Sequence, residues 1–212
     1  MSEVITDKFF DRITDAVFQD TEHGDLSYNY YIAPYDPTQE YEFREKIKWY
    51  CNTLSRPTHY QNILHINIFE EFCKFLDTKP FGKNPSYLKY LIEKECKDEY
   101  ASDGVTRSLT EVAQSDDFIQ HLNNLIRKHK EEEKILKTAF VFLSGIGDIY
   151  PYLRVSTLLN KYEVYNQTQE YKLIVFYPGK PVENSFLLFD KFNDQHVYRA
   201  ALILDFRETQ AQ

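Results

Sequence analysis

The chain is poor in the residues that staple or bend a small fold. Its 212 residues include three cysteines, six glycines, one methionine and one tryptophan. Cys51, Cys73 and Cys96 are odd in number, widely spaced and without a Cys-x-x-Cys pair, which argues against a disulfide framework and points to a reducing compartment. All three fall at apolar positions of predicted helices, where a thiol is inert packing. No stretch approaches the ~20 apolar residues that a membrane helix needs. The acidic residues near the N-terminus are unlike the core of a secretion signal, so a soluble, cytoplasmic protein is expected. Basic charge is also in short supply. Lys and Arg number 25 against 33 Asp and Glu, a net charge of −8, which repels a phosphate backbone unless cations gather on one face. The one dense basic run, Arg127-Lys128-His129-Lys130, is followed at once by Glu131-Glu132-Glu133 and reads as a solvated helix end.

Complete catalytic motifs are missing as well. There is no Gly-x-Ser-x-Gly elbow, no Gly-Lys-Ser/Thr string and no His-x-x-x-His pair. His121 and His129 stand too far apart on one predicted helix to share an ion, and His65 projects alone from a predicted strand. Ser144-Gly145-Ile146-Gly147-Asp148 is the most tempting segment, since a glycine turn between strand and helix can present N–H groups to phosphate. Tyr150 stands where a dinucleotide fingerprint needs a third small residue, which favours a tight turn over a phosphate cradle. Asp36 lies at the carboxyl end of the first strand, where open α/β sheets place ligands, but a helix-capping role already accounts for it. Arg154 is expected to pair with a carboxylate such as Asp190.

Aromatic rings are abundant, with 17 Tyr and 16 Phe. Two readings stay open: AT-rich codon usage, or tyrosines at a contact surface, where Tyr is enriched. Apolar spacing predicts a helix through Ile5, Phe9, Ile13, Ala16 and Val17, ending before His23-Gly24, and then a strand from Ser27 to Ile32. Tyr35-Asp36-Pro37 turns the chain into a helix with Phe43, Ile47, Tyr50 and Leu54 inward, Asp36 as N-cap, Pro37 at the first helical position and Gln39 placed for a capping box. A strand over 63–68 precedes a helical block. There Asn84-Pro85 opens one helix, Asp103-Gly104 breaks it and Ser115 caps another. Ala139–Leu143 and Leu173–Tyr177 are nearly all apolar, as central strands covered on both faces must be. The second ends at Pro178-Gly179. Segments 185–190 and 196–204 read as two strands joined by a turn at Phe192-Asn193-Asp194. The expected fold is one α/β domain over 1–212, with a mainly parallel central sheet flanked by helices in a Rossmann-like three-layer arrangement. A helical insertion at 84–130 and a C-terminal β-hairpin complete it.

Three segments carry a resemblance: Phe142 through Leu159 with its Leu153-Arg154-Val155-Ser156 core, Leu173 to Gly179 ending Tyr-Pro-Gly, and Asn184 to Asp190. In this order, with the Tyr35-Asp36-Pro37 turn, the chain resembles the BrxB family of BREX bacteriophage-exclusion systems, most strongly over about the last 75 residues. Leu187 stands where the family pattern has Arg, and Phe189 where it has Leu. The resemblance implies a cytoplasmic antiviral-defence protein without enzymatic activity or cofactor, associated with a PglZ-type alkaline-phosphatase-like protein and other BREX components. Tyr28, Tyr30, Tyr150 and Tyr152, which flank predicted strand ends, are the candidate contact residues. A degenerate nucleotide- or nucleic-acid-binding domain is the alternative.

Overall fold

A computed structural model describes residues 2–15, 18, 30–56, 62–97, 102–132, 139–165, 171–182, 185–194 and 200–203. The predicted contact residue Tyr28, the motif residue Asn184, the helix end at His23-Gly24 and the segment 196–199 lie outside these. In chain order the elements are α1 (Ser2–Thr14), β1 (Tyr30–Tyr35), α2 (Glu40–Leu54), β2 (Ile63–Asn67), α3 (Ile68–Asp77), α4 (Tyr87–Lys97), α5 (Ser102–Ala113) and α6 (Asp116–Glu132). They continue with β3 (Ala139–Ser144), α7 (Ile146–Ile149), α8 (Val155–Tyr162), β4 (Tyr171–Val182), β5 (Ser185–Leu188), β6 (Phe192–Asp194) and β7 (Ala200–Leu202). No helix among the described residues is long and apolar enough to cross a membrane.

Five strands form a parallel sheet in the order β2-β3-β4-β1-β7. β4 sits at its centre, and its residues from Tyr171 to Gly179 are all buried. Alternate side chains serve the two faces. On one face Tyr31, Ala33, Phe140, Phe142, Ile174 and Phe176 pack with Phe9 and Ile13 of α1 and with Ile47, Tyr50 and Leu54 of α2. On the other, Ile32, Val141, Leu143, Leu173 and Val175 pack against α3, α6 and α8. The sheet is therefore covered on both sides, as the apolar runs of β3 and β4 require. Lys172 is the charged exception: it is fully buried, and burial lowers its ammonium pKa to about 8.

The tyrosines do much of the burying. Tyr171 donates its hydroxyl to Tyr162 at 2.8 Å, and Tyr162 donates to Asn123 at 3.2 Å, a buried relay joining β4, α8 and α6. Several boundaries differ from expectation. Asp103-Gly104 lies inside the first turn of α5 rather than breaking a helix, and Cys96 is exposed on α4. The segment after Gly145 is two helices, with a cis Tyr150-Pro151 bond between them. β4 does not end at Pro178-Gly179; it runs on to Val182 and pairs antiparallel with β5. The hairpin is β5 with β6. Its loop is the three residues Phe189-Asp190-Lys191, the first two with positive φ. Phe192-Asn193-Asp194, expected as the turn, is strand β6, and β7 joins the sheet beside β1 instead of pairing with β5.

Among the described residues, four helices stand between β2 and β3. We propose that segment 84–130 is built into one cooperative unit spanning the chain, because Phe118, Ile119, Leu122 and Ile126 of α6 share a cluster with the sheet. Phe118 is fully buried with the rings of Phe72 and Phe75 at 5.1 and 5.3 Å. Phe118→Ala is expected to cost about 3–5 kcal/mol and to move a single urea transition, followed by circular dichroism and tyrosine fluorescence together. Two separable transitions would overturn the single unit.

Candidate functional site

A cleft of about 680 Å³ runs along β2. β2 is one edge of the sheet. Leu64, His65, Ile66 and Asn67 form the floor of the cleft. One wall is α2, through Tyr41, Glu45 and Lys48. The other is α3 and α6, through Glu70, Glu71, Lys74, Leu125, Lys128 and His129. Most of its charges are satisfied locally. Lys48 pairs with Glu45 at 2.8 Å, Lys74 with Glu71 at 3.2 Å and Lys128 with Glu132 at 3.6 Å. His129 of α6 holds the residue that leads into β2, and His65 of β2 holds the end of β3. His129 Nε2 lies 2.8 Å from Asn62 Oδ1, and His65 Nε2 lies 2.8 Å from Ser144 Oγ.

The His65–Ser144 pair is the nearest approach to reactive chemistry. Burial pushes the His65 pKa down, so the ring favours its neutral form. A neutral imidazole beside a hydroxyl is half of a nucleophile–base arrangement, and an orienting group with oxyanion donors would have to complete it. Ser144 is only 7% exposed. Register aligns Asn67 with Ser144 and His65 with Phe142, which puts the two side chains on one face of adjacent strands. The bond therefore ties the sheet edge to its neighbour.

The glycine turn is filled by the protein itself. Gly145 has φ 76°, and a side chain there would strike the Asn67 carboxamide. That carboxamide accepts hydrogen bonds from Phe69 and Glu70 N–H at 3.2 Å, capping α3. Over Gly147 lies the Phe189 ring, 2.8 Å from where a Cβ would be. Backbone that could cradle phosphate is thus packed against an amide and a phenyl ring. At Gly179 the Leu187 carbonyl occupies the space a Cβ would take, so β5 approaches β4 closely there.

The crevice beyond the carboxyl ends of β1 and β4 is also plugged. Tyr35, stacked on Phe43 with ring centroids at 4.0 Å, donates its hydroxyl to Glu40. Arg44 bonds Glu40 at 2.8 Å and Asp148 at 2.5 Å, which ties β1 and α2 to α7. Burial, then the Glu40 bond, raises the Tyr35 pKa far above the phenol range. Asp36 is exposed and caps the turn at Pro37–Gln39, accepting from Thr38 N–H at 2.9 Å. Its pKa is lowered chiefly by the Thr38 hydroxyl bond. Tyr35 and Pro178 are register partners.

Leu153-Arg154-Val155-Ser156 has a different partner from the one expected. Arg154 donates to the Asn193 carbonyl at 3.2 Å, while Asp190 faces Lys180 at 4.0 Å. The residue that engages the motif is Asp194. It is buried, and it accepts from Val155 N–H at 3.2 Å and from Ser156 Oγ at 2.7 Å. It caps α8 from 38 residues away, where Arg154 offers no side-chain cap. Leu153 is buried in the core. The three described candidate contact tyrosines sit in different settings. Tyr30 is buried in the sheet. Tyr150 is half-buried among Phe189 and Phe192, and Tyr152 is half-buried with its carbonyl bonded by Gln114. Of the cysteines, Cys51 is partly buried, with burial raising its pKa to about 11.

Burial raises the Asp194 pKa against the opposing pull of the Ser156 and Val155 bonds. The folded state therefore takes up this proton more readily than the unfolded chain. Asp194 contributes most below the ordinary carboxylate range and loses part of that contribution as pH rises through its elevated folded-state value. Asp194→Ala, which leaves the Val155 N–H and Ser156 hydroxyl unmatched, is expected to cost about 1–3 kcal/mol at neutral pH. The gap to wild type should widen as pH falls toward 4, measured by urea denaturation at several pH values. A gap that narrows on acidification would contradict the assignment.

Two comparisons place the chain among known proteins. The family profile "BREX protein BrxB" matches residues 64–203. A "BREX protein BrxB" of Bacillus cereus (strain H3081.97) is 24% identical over 201 residues, covering 94% of this chain and 95% of that one. No solved structure matches. The matched span takes in β2 from Leu64, the α3 and α6 wall of the cleft, the glycine turn, the Leu-Arg-Val-Ser segment and the Asp194 cap, while the α2 wall lies before it. On that span the chain belongs to the BrxB family, a component of the BREX phage-defence systems.

Proposed function

We propose that the chain works in BREX defence as a non-enzymatic adaptor, binding a PglZ-type alkaline-phosphatase-like protein and holding it to other BREX subunits. The observation that carries this reading is the character of the main cleft. It follows an open sheet edge between two helical walls whose charges largely pair among themselves. Such a place offers surface and hydrogen-bonding backbone, whereas catalysis needs a converging set of activated groups. Membership in a multi-subunit defence system supplies the other subunits. A tagged chain recovered in gentle salt from cells carrying the whole defence locus is expected to bring down the PglZ-type protein and further BREX subunits, identified by mass spectrometry. Recovery of the chain alone would overturn the adaptor reading.

The geometry gives little support to a nucleotide at the glycine turn, where Asn67 and Phe189 already fill the space. ATP, GTP, NAD and cyclic nucleotides are therefore expected to leave the thermal unfolding midpoint unchanged. Binding at a hundredfold excess over the dissociation constant would stabilise by about 2.7 kcal/mol, which a thermal-shift assay detects. A reproducible rise with any of them would revive the nucleotide reading.

A further inference from the structure

Among the described residues, β2 is an edge strand without the usual protections. Natural edges are kept from pairing by charged residues, proline, bulges, extreme shortness or a covering element. Ile63-Leu64-His65-Ile66-Asn67 has no formal charge apart from a histidine that favours its neutral form. It contains no proline, and its register with β3 is regular along its whole length. Among the described residues no strand lies on its outer side.

The direction of the free backbone groups follows from the ladder. Phe140 N–H donates to the Asn62 carbonyl at 2.8 Å. In a parallel pair successive residues turn their peptide groups to opposite sides, so Asn62, Leu64 and Ile66 face β3. The N–H and C=O of Ile63 and His65 then face outward, and of these two residues His65 lines the cleft. Donors and acceptors repeating every two residues along an extended line match the backbone of another extended polypeptide. The regular spacing of a strand is met by neither a helix nor a phosphate backbone.

The walls decide which polypeptide fits. Side chains of α2 on one face and of α3 and α6 on the other line the same cleft as the strand, so the helices rise beyond the strand on both sides. A second copy approaching edge to edge would bring its own walls into that space. A lone extended segment would not. The lining holds four cations, Arg44, Lys48, Lys74 and Lys128, and four carboxylates, Glu45, Glu70, Glu71 and Glu132. That balance, in a chain of net charge −8, favours an uncharged occupant. Leu64 and Leu125 offer apolar contact on one face, and Tyr41, 82% exposed, stands at the rim on the other.

We propose that this cleft takes up an extended, uncharged peptide segment of a partner protein as an additional strand beside β2. The inference rests on the adaptor reading and names the surface that reading would use. The segment carries apolar residues at alternate positions to meet Leu64 and Leu125, and its backbone bonds to the outward groups of Ile63 and His65.

The test uses the full chain against a displayed library of random linear peptides, with hydrogen–deuterium exchange to locate binding. Enriched peptides are expected to alternate apolar and uncharged polar residues and to slow exchange over residues 63–67. Two variants separate backbone from side chain. His65→Pro removes the outward N–H at a position where an edge strand tolerates proline, and should weaken binding about tenfold or more. His65→Ala removes the ring and its Ser144 bond but keeps the N–H, and should weaken binding far less than His65→Pro does. Circular dichroism checks that both variants fold; should His65→Pro fail to fold, protection of 63–67 in wild type decides. No enrichment, protection elsewhere, equal loss in both variants, or a dimer of the free chain that His65→Pro dissolves would each overturn strand addition. The subunit pull-down repeated with His65→Pro keeps the two proposals apart. Partners lost with His65→Pro and kept with His65→Ala support both, and partners kept with His65→Pro leave the adaptor reading standing while edge docking falls.

Discussion

Half the peptide groups of a parallel strand point to each side, so every such strand needs two neighbours or water. In this protein β3, β4 and β1 have two, and the apolar runs of β3 and β4 can be buried on both faces only because they do. The cost falls on the two edge strands, β2 and β7, and among the described residues no strand meets the outward groups of β2. A solvated peptide group is not strained, and exchanging its water for a peptide gains only about 0.5–1.5 kcal/mol per bond. Any affinity at such an edge has to come mainly from apolar contact with the walls, while the backbone bonds fix direction and register. The same helices that cover the sheet therefore determine what can lie beside it.

The motifs that look functional in the sequence are in large part devices for joining distant segments. Gly145 is glycine because the Asn67 carboxamide needs its space, and that carboxamide caps α3. Gly147 admits the Phe189 ring, so the hairpin turn rests on the start of α7. Ser156 and the Val155 N–H receive Asp194 and so anchor β6 to α8. Glycine turn, Leu-Arg-Val-Ser segment and hairpin are one packed assembly at the carboxyl end of the sheet, which gives a physical reason for those segments to occur together in the family pattern.

The layers of this fold were legible in the sequence because they depend on local periodicity. Ala139–Leu143 and Leu173–Tyr177 announce themselves as continuous apolar runs, and Asp36-Pro37 announces the turn it caps. The errors fall where a local cue served a different end. Phe192-Asn193-Asp194 has the composition of a turn, yet Asn193 pairs with Leu187 and Asp194 leaves the strand to cap a helix. The real turn places Phe189 at φ 53°, a position that residue preference would never assign to Phe; its ring contact with Gly147 offsets the cost. Asp103-Gly104 reads as a break, but Asp in a first helical turn is favourable and one Gly costs only about 1 kcal/mol. Asp194 carried a signal that went unread. α8 begins at Val155 behind Arg154, without Ser, Thr, Asp or Asn at the cap position, so the missing acceptor had to come from elsewhere in the chain. The β2 cleft left no such trace, because an edge is a property of strand order, which pattern alone does not fix.

In open α/β sheets ligands usually settle in the crevice outside the carboxyl ends of the strands, where neighbouring connections leave toward opposite faces. Here that point lies between β1, which leads to α2 on one face, and β4, whose extension and hairpin pack on the other. The crevice is occupied by Tyr35, Glu40, Arg44 and Asp148, bonded in series. Removing Arg44 alone would strand the Glu40 and Asp148 carboxylates beside each other, so the plug holds as a set and does not double as a ready anion site. With the usual ligand crevice filled by its own ion pairs, and its glycine turn by its own side chains, the protein still presents the cleft along the β2 edge. That edge presents polypeptide backbone in the regular two-residue repeat that another extended chain can match.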